Sequence, residues 1–517
     1  MEKRVGIVGA GSSGLIACKH LMQRGFDPII FEAKGRIGGI WTKTIESTKL
    51  QTPKDAYQFS DFPWPESVTE EFPNHDQVLQ YIESYAKHFG VVERVRFNNK
   101  VLGLEFVGAR EEDQLSWGLW GGNGEAFGSK GRWDITVEDT NFGSTEVHQV
   151  EFVVLCIGRF GDVPKLPLLP QNNGPQVFKG EVMHAKDYSE LSSSEAAYAV
   201  RGKRVAVVGF QKSALDIAAE CARVNGKQIP CNVILREPHW NVPHYLPWGV
   251  HLAYLYCTRF SELLVHKPQE GFLLSLLATL LSPVRWGISK FAESYLRWKL
   301  PLKKYGMVPN HSFLLQISSC QLSTLPPDFY DKVEEGSILL KQAPKWGFCK
   351  EGLILNDKSE PLDMDLVILA TGYDGDQKLK GIFQSPTFQK YIMRSETNTL
   401  PLYREIIHPR IPQLAVIGYS ESLSNLFTSE MRSQWLCHFL DGGFRLPSIK
   451  EMEDDLKKWE AYMKSYAGKY YWRSCIGVLH IWYNDQLCKD MGYNPKRKKG
   501  WYDELFSPYG VMDYCKL

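Results

Sequence analysis

Two short runs place glycines, hydroxyls and charged side chains where a polypeptide can grip phosphate and sugar. The first is Val5-Gly-Ile-Val-Gly-Ala-Gly-Ser-Ser-Gly14, followed by Glu32 at the end of the apolar run Pro28-Ile-Ile-Phe31. Gly9 fits the tight turn out of a strand, Gly11 the close approach of backbone to a pyrophosphate, and Gly14 tight packing of helix on sheet. Ala10, Ser12 and Ser13 complete the loop. The helix opening near Ser12 offers free N–H groups and a positive dipole end to phosphate. Glu32 is placed to accept hydrogen bonds from a ribose diol.

The second run is Arg204-Val-Ala-Val-Val-Gly-Phe-Gln-Lys-Ser-Ala214, followed by Arg236 after Asn232-Val-Ile-Leu235. Gly209 keeps the turn, Gln211 stands at the close-approach position, and Ala214 replaces the third glycine. Lys212, Ser213 and Arg236 suit phosphate, and an arginine in place of the acid suits a ribose 2′-phosphate. Glu237, beside Arg236, could neutralise it. Together the two motifs point to two dinucleotides, FAD first and NADPH second, and to electrons passing between them. Gly35-Arg-Ile-Gly-Gly-Ile-Trp41 adds a second glycine pair near the first loop, as an extended cofactor such as FAD requires. Arg36 and Gly39 are assigned to that site with Trp41, which fits equally beside a flavin or in the core.

Such loops must be held by strands and helices. Val5–Val8, Ile29–Glu32, Phe152–Ile157, Val205–Val208, Val233–Leu235 and Leu366–Ala370 read as short buried strands, alternating with helical stretches at Leu15–Arg24 and Ala214–Val224. The expected fold is α/β, with two doubly wound Rossmann-like domains. Pro164-Lys-Leu-Pro-Leu-Leu-Pro170 reads as a crossing between domains, with the return near Leu325-Pro-Pro327. That makes 1–165 the first part of an FAD-binding domain, 166–326 an inserted NADPH-binding domain with a helical excursion, and 327–517 the remainder with a C-terminal segment. Glu111–Arg132 reads as a hairpin or loop excursion. The apolar block Phe272–Leu281 reads as a buried helix, with a membrane-touching surface as the alternative. Ile288, Phe291, Tyr295 and Trp298 have the spacing of a core-facing helix side, or of a substrate entrance.

Composition narrows the classes. The chain has 517 residues, 44% hydrophobic and 23% charged, with a net charge of +1. Nothing there calls for nucleic acid as a partner. The 11 cysteines include no Cys-x-x-Cys pair, which fits a reducing compartment and excludes zinc ribbons and dithiol redox centres. Met1-Glu-Lys-Arg4 runs straight into the first strand, so no leader peptide is expected, and no apolar run approaches the ~20 residues of a membrane span. A cytoplasmic location is expected. Cys515-Lys516-Leu517 leaves a peroxisomal address as an alternative, and the ER surface is another.

Between the loops lies Phe178-Lys-Gly-Glu-Val-Met-His-Ala-Lys-Asp-Tyr188. Here the chain resembles the class B flavin-containing monooxygenases, whose pattern Phe178, Gly180, His184 and Tyr188 match. Baeyer–Villiger members carry tryptophan at the last position, so Tyr188 favours the N- and S-oxygenating branch. Ala370-Thr-Gly-Tyr373, with Thr371, resembles the segment joining flavin and nicotinamide domains. Lys49–Trp64 resembles the flavin-facing stretch of plant members. The matches run from residue 5 to about 435.

The resemblance implies that NADPH reduces FAD, that the flavin captures O2 as a C4a-hydroperoxide, and that a soft nucleophile takes its distal oxygen. Animal members place an asparagine at the position of Gln51, so support of the oxygenated flavin falls to Gln51 or passes to Thr52. The implied substrate is a small amine, amino acid or sulfur compound, by analogy with the plant group that includes the pipecolate N-hydroxylase. A Baeyer–Villiger ketone oxygenase and a non-catalytic nucleotide-binding flavoprotein are the alternatives.

Overall fold

The computed structural model describes residues 3–108, 111–356, 360–393 and 399–514. Apolar runs buried at every position form the inner strands of two separate sheets: Phe152–Leu155 in one, Val205–Val208, Cys231–Leu235 and Leu366–Leu369 in the other. This is the pattern of parallel strands covered by helices on both faces. The first five-stranded sheet runs Leu414–Val416, Phe152–Leu155, Arg4–Val8, Asp27–Phe31, Val95–Arg96 in spatial order. The second runs Ile338–Gln342, Cys231–Leu235, Val205–Val208, Leu366–Leu369, Glu181–His184. Every pair in both sheets is parallel. In each, a central strand ends at a glycine loop and feeds a helix, Ser12–Gln23 or Lys212–Asn225. The two doubly wound lobes read from the sequence are therefore present.

Glu111–Arg132 connects two antiparallel strands, Asn99–Val107 and Arg132–Asp139, which with Thr145–Val150 form a small sheet on the first lobe. Trp120, in that connection, is wholly buried and its indole N–H donates to the His408 carbonyl at 3.1 Å.

Three expectations need correction. The chain does not return near Leu325–Pro327, because Ile338–Gln342 and Leu366–Leu369 both join the second sheet and the first is rejoined only at Leu414–Val416. The prolines mark a turn inside the lobe: the Leu325 N–H bonds back to the Val242 carbonyl at 2.9 Å, and Phe329–Glu335 follows as a helix. The outward and return crossings instead lie side by side. Pro164 pairs with Tyr373, the Lys165 N–H donates to the Gly372 carbonyl at 2.9 Å, and the Thr371 hydroxyl to the Lys165 carbonyl at 2.6 Å.

Second, Phe272–Leu280 is a helix but not a buried one, since Ala278 alone of its residues is buried and Phe272, Leu273, Leu274, Leu276 and Leu280 are exposed. In the following helix, Ser282–Lys299, Tyr295 enters the core whereas Trp298 is 67% exposed and packs on Trp248. Among the described residues no single helix is long and apolar enough to cross a membrane. Third, Cys320 and Cys475 form a disulfide across a sequence separation of 155, tying the second lobe to the C-terminal segment. That distance hid the pairing from a motif search. The other eight described cysteines are free. Cys515-Lys516-Leu517 lies outside the described residues.

Candidate functional site

Both glycine loops are built the same way. Gly9 has φ +102°, donates its N–H to the Phe31 carbonyl at 2.9 Å, and would drive a Cβ to 2.7 Å from the Cys156 carbonyl oxygen. Gly209 has φ +137°, donates to the Ile234 carbonyl at 2.9 Å, and would drive a Cβ to 2.5 Å from the Ala370 carbonyl oxygen. In each lobe the turn is wedged against the end of the neighbouring strand, where only glycine fits.

In the first loop a Cβ on Gly14 would lie 2.0 Å from the Gly9 oxygen, so helix and strand meet at the closest spacing the backbone allows. Gly11 and Gly39 face each other, and a Cβ on Gly39 would stand 3.0 Å from the Gly11 Cα. These bare glycine backbones, beside the uncapped first turn of Ser12–Gln23, suit the close approach of a pyrophosphate. Glu32 is held by two backbone donors, the Ala10 N–H at 2.7 Å and the Lys34 N–H at 2.9 Å, which fix one carboxylate oxygen each. The remaining lone pairs suit ribose hydroxyls. These residues fit FAD.

Other expected ligands are placed elsewhere. The Ser13 hydroxyl pairs with that of Ser429 at 2.9 Å, and Arg36 forms a surface ion pair with Glu83 at 2.7 Å. The Trp41 indole donates to the Tyr57 hydroxyl at 3.0 Å, against which Ser12 also lies. In the second loop Lys212 pairs with Asp216 at 2.7 Å, so its charge is already matched. Ser213 is exposed on the uncapped first turn of its helix, and Arg236 is exposed at the end of its strand. Glu237 does not neutralise Arg236: it accepts from Lys469 at 2.7 Å and from the Tyr470 hydroxyl. Burial opposes its ionisation, yet these donors hold its carboxyl below the usual range. Thr371 joins the two crossings, as described above.

The lobes meet along residues 47–52. Ser47 donates its N–H and hydroxyl to Glu220, at 3.1 and 2.5 Å, and the Thr48 hydroxyl donates to Asp216 at 2.7 Å. The Tyr188 hydroxyl reaches the other Glu220 oxygen at 2.9 Å. On the far side the Thr52 hydroxyl donates to the Leu423 carbonyl at 3.3 Å. Gln51 sits within this clamp, and its Oε1 is buried with no hydrogen-bond partner among the described residues, as are the hydroxyls of Ser422 and Ser424. Buried polar atoms of this kind are normally satisfied, so these three retain hydrogen-bonding capacity at the seam.

Beside them Glu421 binds two arginines, Arg159 at 3.4 Å and the Arg473 Nε at 2.9 Å, all three nearly buried. The Arg473 guanidinium also donates to the Cys320 carbonyl at 3.1 Å. Asp216 is buried, and desolvation pushes its pKa up against the pull of Lys212 and Thr48. His184 caps the short helix Ala185–Tyr188: its Nδ1 accepts from the Lys186 N–H at 3.0 Å, its ring packs on Tyr373, and burial lowers its pKa. Motif reading missed Ser47, Thr48, Asp216 and Glu220, as well as Arg159, Glu421 and Arg473. The one visible signal was an acid, Asp216, four residues after Lys212 on an apolar helix.

A sequence model of the family described as flavin-binding monooxygenase-like matches residues 2–499. The chain is 43% identical to the probable flavin-containing monooxygenase 1 of Arabidopsis thaliana, over 99% of this chain and 96% of that protein. Among solved structures it is similar to the S-allyl-L-cysteine S-oxygenase of Allium sativum, with a TM-score of 0.59 at 18% identity, covering 96% of this chain and 89% of that one. It is also similar to an oxidized steroid monooxygenase bound to NADP, with a TM-score of 0.65 at 16% identity, covering 96% and 99%. At those identities the structures speak to the fold.

Proposed function

The chain belongs to the flavin-binding monooxygenase-like family, an FAD- and NADPH-dependent group, and on that footing we propose that it transfers one atom of O2 to a nucleophilic nitrogen or sulfur of a small amine, amino acid or sulfur compound. The observation that carries the reading is Gln51, whose buried Oε1 has no partner among the described residues and lies at the seam of two nucleotide-binding lobes. Bound FAD supplies the redox and oxygen chemistry, and NADPH the reducing equivalents.

The chain supplies grip, orientation and dryness. Gly9, Ala10, Gly11, Gly14, Gly39 and Glu32 hold the first cofactor, while Gly209, Ser213 and Arg236 hold the second. Gln51 offers its amide to the reacting face, and Thr52, bonded to Leu423, fixes the direction of that loop. The Ser47–Glu220 and Thr48–Asp216 contacts keep the lobes closed over the seam and keep water out of it. Tyr188, at the last position of its motif and bonded to Glu220, favours nitrogen and sulfur over ketones.

The test is turnover of the holoenzyme with NADPH under 18O2, offered a tertiary amine, a cyclic amino acid, a thioether and a cyclic ketone. The expected product carries a single labelled oxygen on nitrogen or sulfur, with one NADPH consumed per product. Flavin that NADPH does not reduce, or lactone formation without amine or thioether turnover, defeats the proposal.

A further inference from the structure

The short segment Gly468–Arg473, continued by Ser474, Cys475 and Ile476, forms a strap that touches both lobes and the crossing between them. On the second lobe Lys469 donates to Glu237 at 2.7 Å and the Tyr470 hydroxyl donates to the same carboxylate, one residue beyond Arg236. At the outward crossing the Arg159 and Lys165 cations lie over the Trp472 ring, 5.3 and 5.8 Å from its centroid. Arg159 also donates to the Arg473 carbonyl at 3.4 Å. On the first lobe the Arg473 Nε donates to the Glu421 carboxylate at 2.9 Å, and the Ile476 N–H to the Glu421 carbonyl at 3.0 Å. Ser422, Leu423 and Ser424 follow directly, and Leu423 receives the Thr52 hydroxyl. One strap thus braces the neighbours of Arg236 and of Gln51 together.

A single covalent bond pins it, from Cys475 to Cys320 of the second lobe. The Arg473 guanidinium donates to the Cys320 carbonyl at 3.1 Å, and Arg159 and Arg473 share the one carboxylate of Glu421. Positive charge beside a cysteine favours its thiolate and makes it a better leaving group. Cys320 and Ser474 both have φ +51°, the left-handed region where a side chain is strained, so the backbone at each end of the bond is held off its preferred shape. The other eight described cysteines are free and seven of them are buried. A lone disulfide among so many unpaired thiols has the pattern of a redox-sensing bond, not of a crosslinked scaffold.

We propose that Cys320–Cys475 is a thiol–disulfide exchange site, opened by a dithiol reductant, whose state sets how firmly the strap holds the seam. Cys320 is partly exposed and Cys475 buried, so the reductant's thiolate attacks the Cys320 Sγ. The bond between the two cysteines breaks, and the Cys475 sulfur leaves as a thiolate and takes up a proton. The second thiol of the reductant then attacks its own sulfur in the mixed disulfide and releases Cys320 as a thiol. The reductant gives up two electrons and two protons and closes its own disulfide, while the protein gains them as two thiols. With the bond open, only hydrogen bonds and ion pairs keep the strap in place. Glu237 is then freer to turn on Arg236, and the loop carrying Ser422 and Ser424 loosens beside Gln51. The reduced enzyme binds NADPH more weakly and loses more of its reducing equivalents as hydrogen peroxide. The NADPH effect rests on the assignment of Arg236; the exchange itself does not.

The experiment poises the full-length holoenzyme with reduced or oxidised dithiothreitol, removes the reagent, alkylates free thiols and maps the peptides by mass. Cys320 and Cys475 are expected to be alkylated only after reduction of the folded enzyme. The apparent Michaelis constant for NADPH and the peroxide released per NADPH are each expected to rise at least about twofold on reduction, and to return with oxidised dithiothreitol. Cys475→Ser should show the reduced behaviour throughout and ignore dithiothreitol, whereas Cys349→Ser, which removes a free thiol, should respond as the parent does. A rise in peroxide with the NADPH constant unchanged supports the exchange site and counts against Arg236. Cysteines 320 and 475 that are alkylated in both preparations, or a bond that opens only when the protein unfolds, overturn the proposal. So does reduction that lowers the thermal midpoint and moves neither kinetic readout, since the bond then only braces the fold. The parent protein is read in both states, so the outcome stands even where Cys475→Ser folds poorly.

Discussion

Replacing Arg236 with alanine tests the assignment of the second nucleotide site. The side chain stands exposed at the end of the buried strand Cys231–Leu235, and among the described residues no hydrogen bond or ion pair engages its guanidinium. Its acidic neighbour is occupied by Lys469 and Tyr470. The arginine is therefore available to a 2′-phosphate, the one group by which NADPH differs from NADH at this position. A charge-assisted hydrogen bond contributes about 1.5–3 kcal/mol. Solvent screening at an exposed residue argues for the low end of that range, and about 1.4 kcal/mol is a factor of ten.

The assay is anaerobic rapid mixing of oxidised holoenzyme with either coenzyme, following the loss of flavin absorbance over a range of concentrations. The ratio of the two apparent second-order constants is expected to fall about tenfold in Arg236→Ala, with the NADH constant little changed. A second variant, Lys469→Ala, frees Glu237 to turn on Arg236 and should shift the ratio in the same direction by less. An unchanged ratio in Arg236→Ala, or an equal loss for both coenzymes, would refute the reasoning.

Gly14→Ala should strip the protein of FAD, read as the ratio of flavin to protein absorbance, because its Cβ would stand 2.0 Å from a backbone oxygen; overpacking of that kind costs about 1–3 kcal/mol or more. Gly25→Ala is the control: its φ of +77° is strained, yet nothing lies within 4 Å, so stability should fall and flavin content should not. Gln51→Leu should raise the hydrogen peroxide released per NADPH several-fold while leaving flavin reduction intact, and Gln51→Asn should restore part of the coupling; no change in either variant removes Gln51 from the site. Burial lowers the pKa of His408 from 6.5 to about 3, and its Nδ1 accepts from the Arg410 N–H at 3.0 Å. The folded state thus requires the neutral ring, and its contribution is complete above the unfolded value of 6.5 and is lost as pH falls from there toward 3. His408→Asn keeps an acceptor without the titration, so its melting temperature should decline less steeply with acid, and parallel slopes would exclude His408 as the cause.

What could be read in advance was local. A glycine at positive φ between a buried strand and a helix is encoded within a dozen residues, and Gly9 and Gly209 both adopt that geometry. Leu366–Leu369 was recognisable as a strand, but which sheet it joins depends on partners far along the chain, and this displaced the expected return crossing. Phe272–Leu280 has the composition of a buried helix, and composition does not say whether a neighbour covers it. Lys212 was assigned to phosphate because its type suits phosphate, whereas Asp216, one helical turn away, claims it. Arg159 and Glu421 come from two loops and Arg473 from the end of the 3-10 helix Gly468–Arg473, and the three converge only in the folded chain.

The position of Leu414–Val416 has a consequence for the order in which the molecule assembles. Every strand of the second sheet lies between residues 181 and 369, so that lobe can close once this stretch has been synthesised. The first lobe opens the chain but waits for Leu414–Val416 to pair with Phe152–Leu155, and for Asn425–Leu440 to cover the helix Ser12–Gln23 through contacts such as Ser13 with Ser429. Its sheet edge and part of its apolar core stay open on the ribosome while the inserted lobe folds in between, a long-range closure of the kind that is slow and exposed to aggregation. The lobe that begins the chain is thus the last to receive all of its strands, since its edge strand follows every strand of the other sheet.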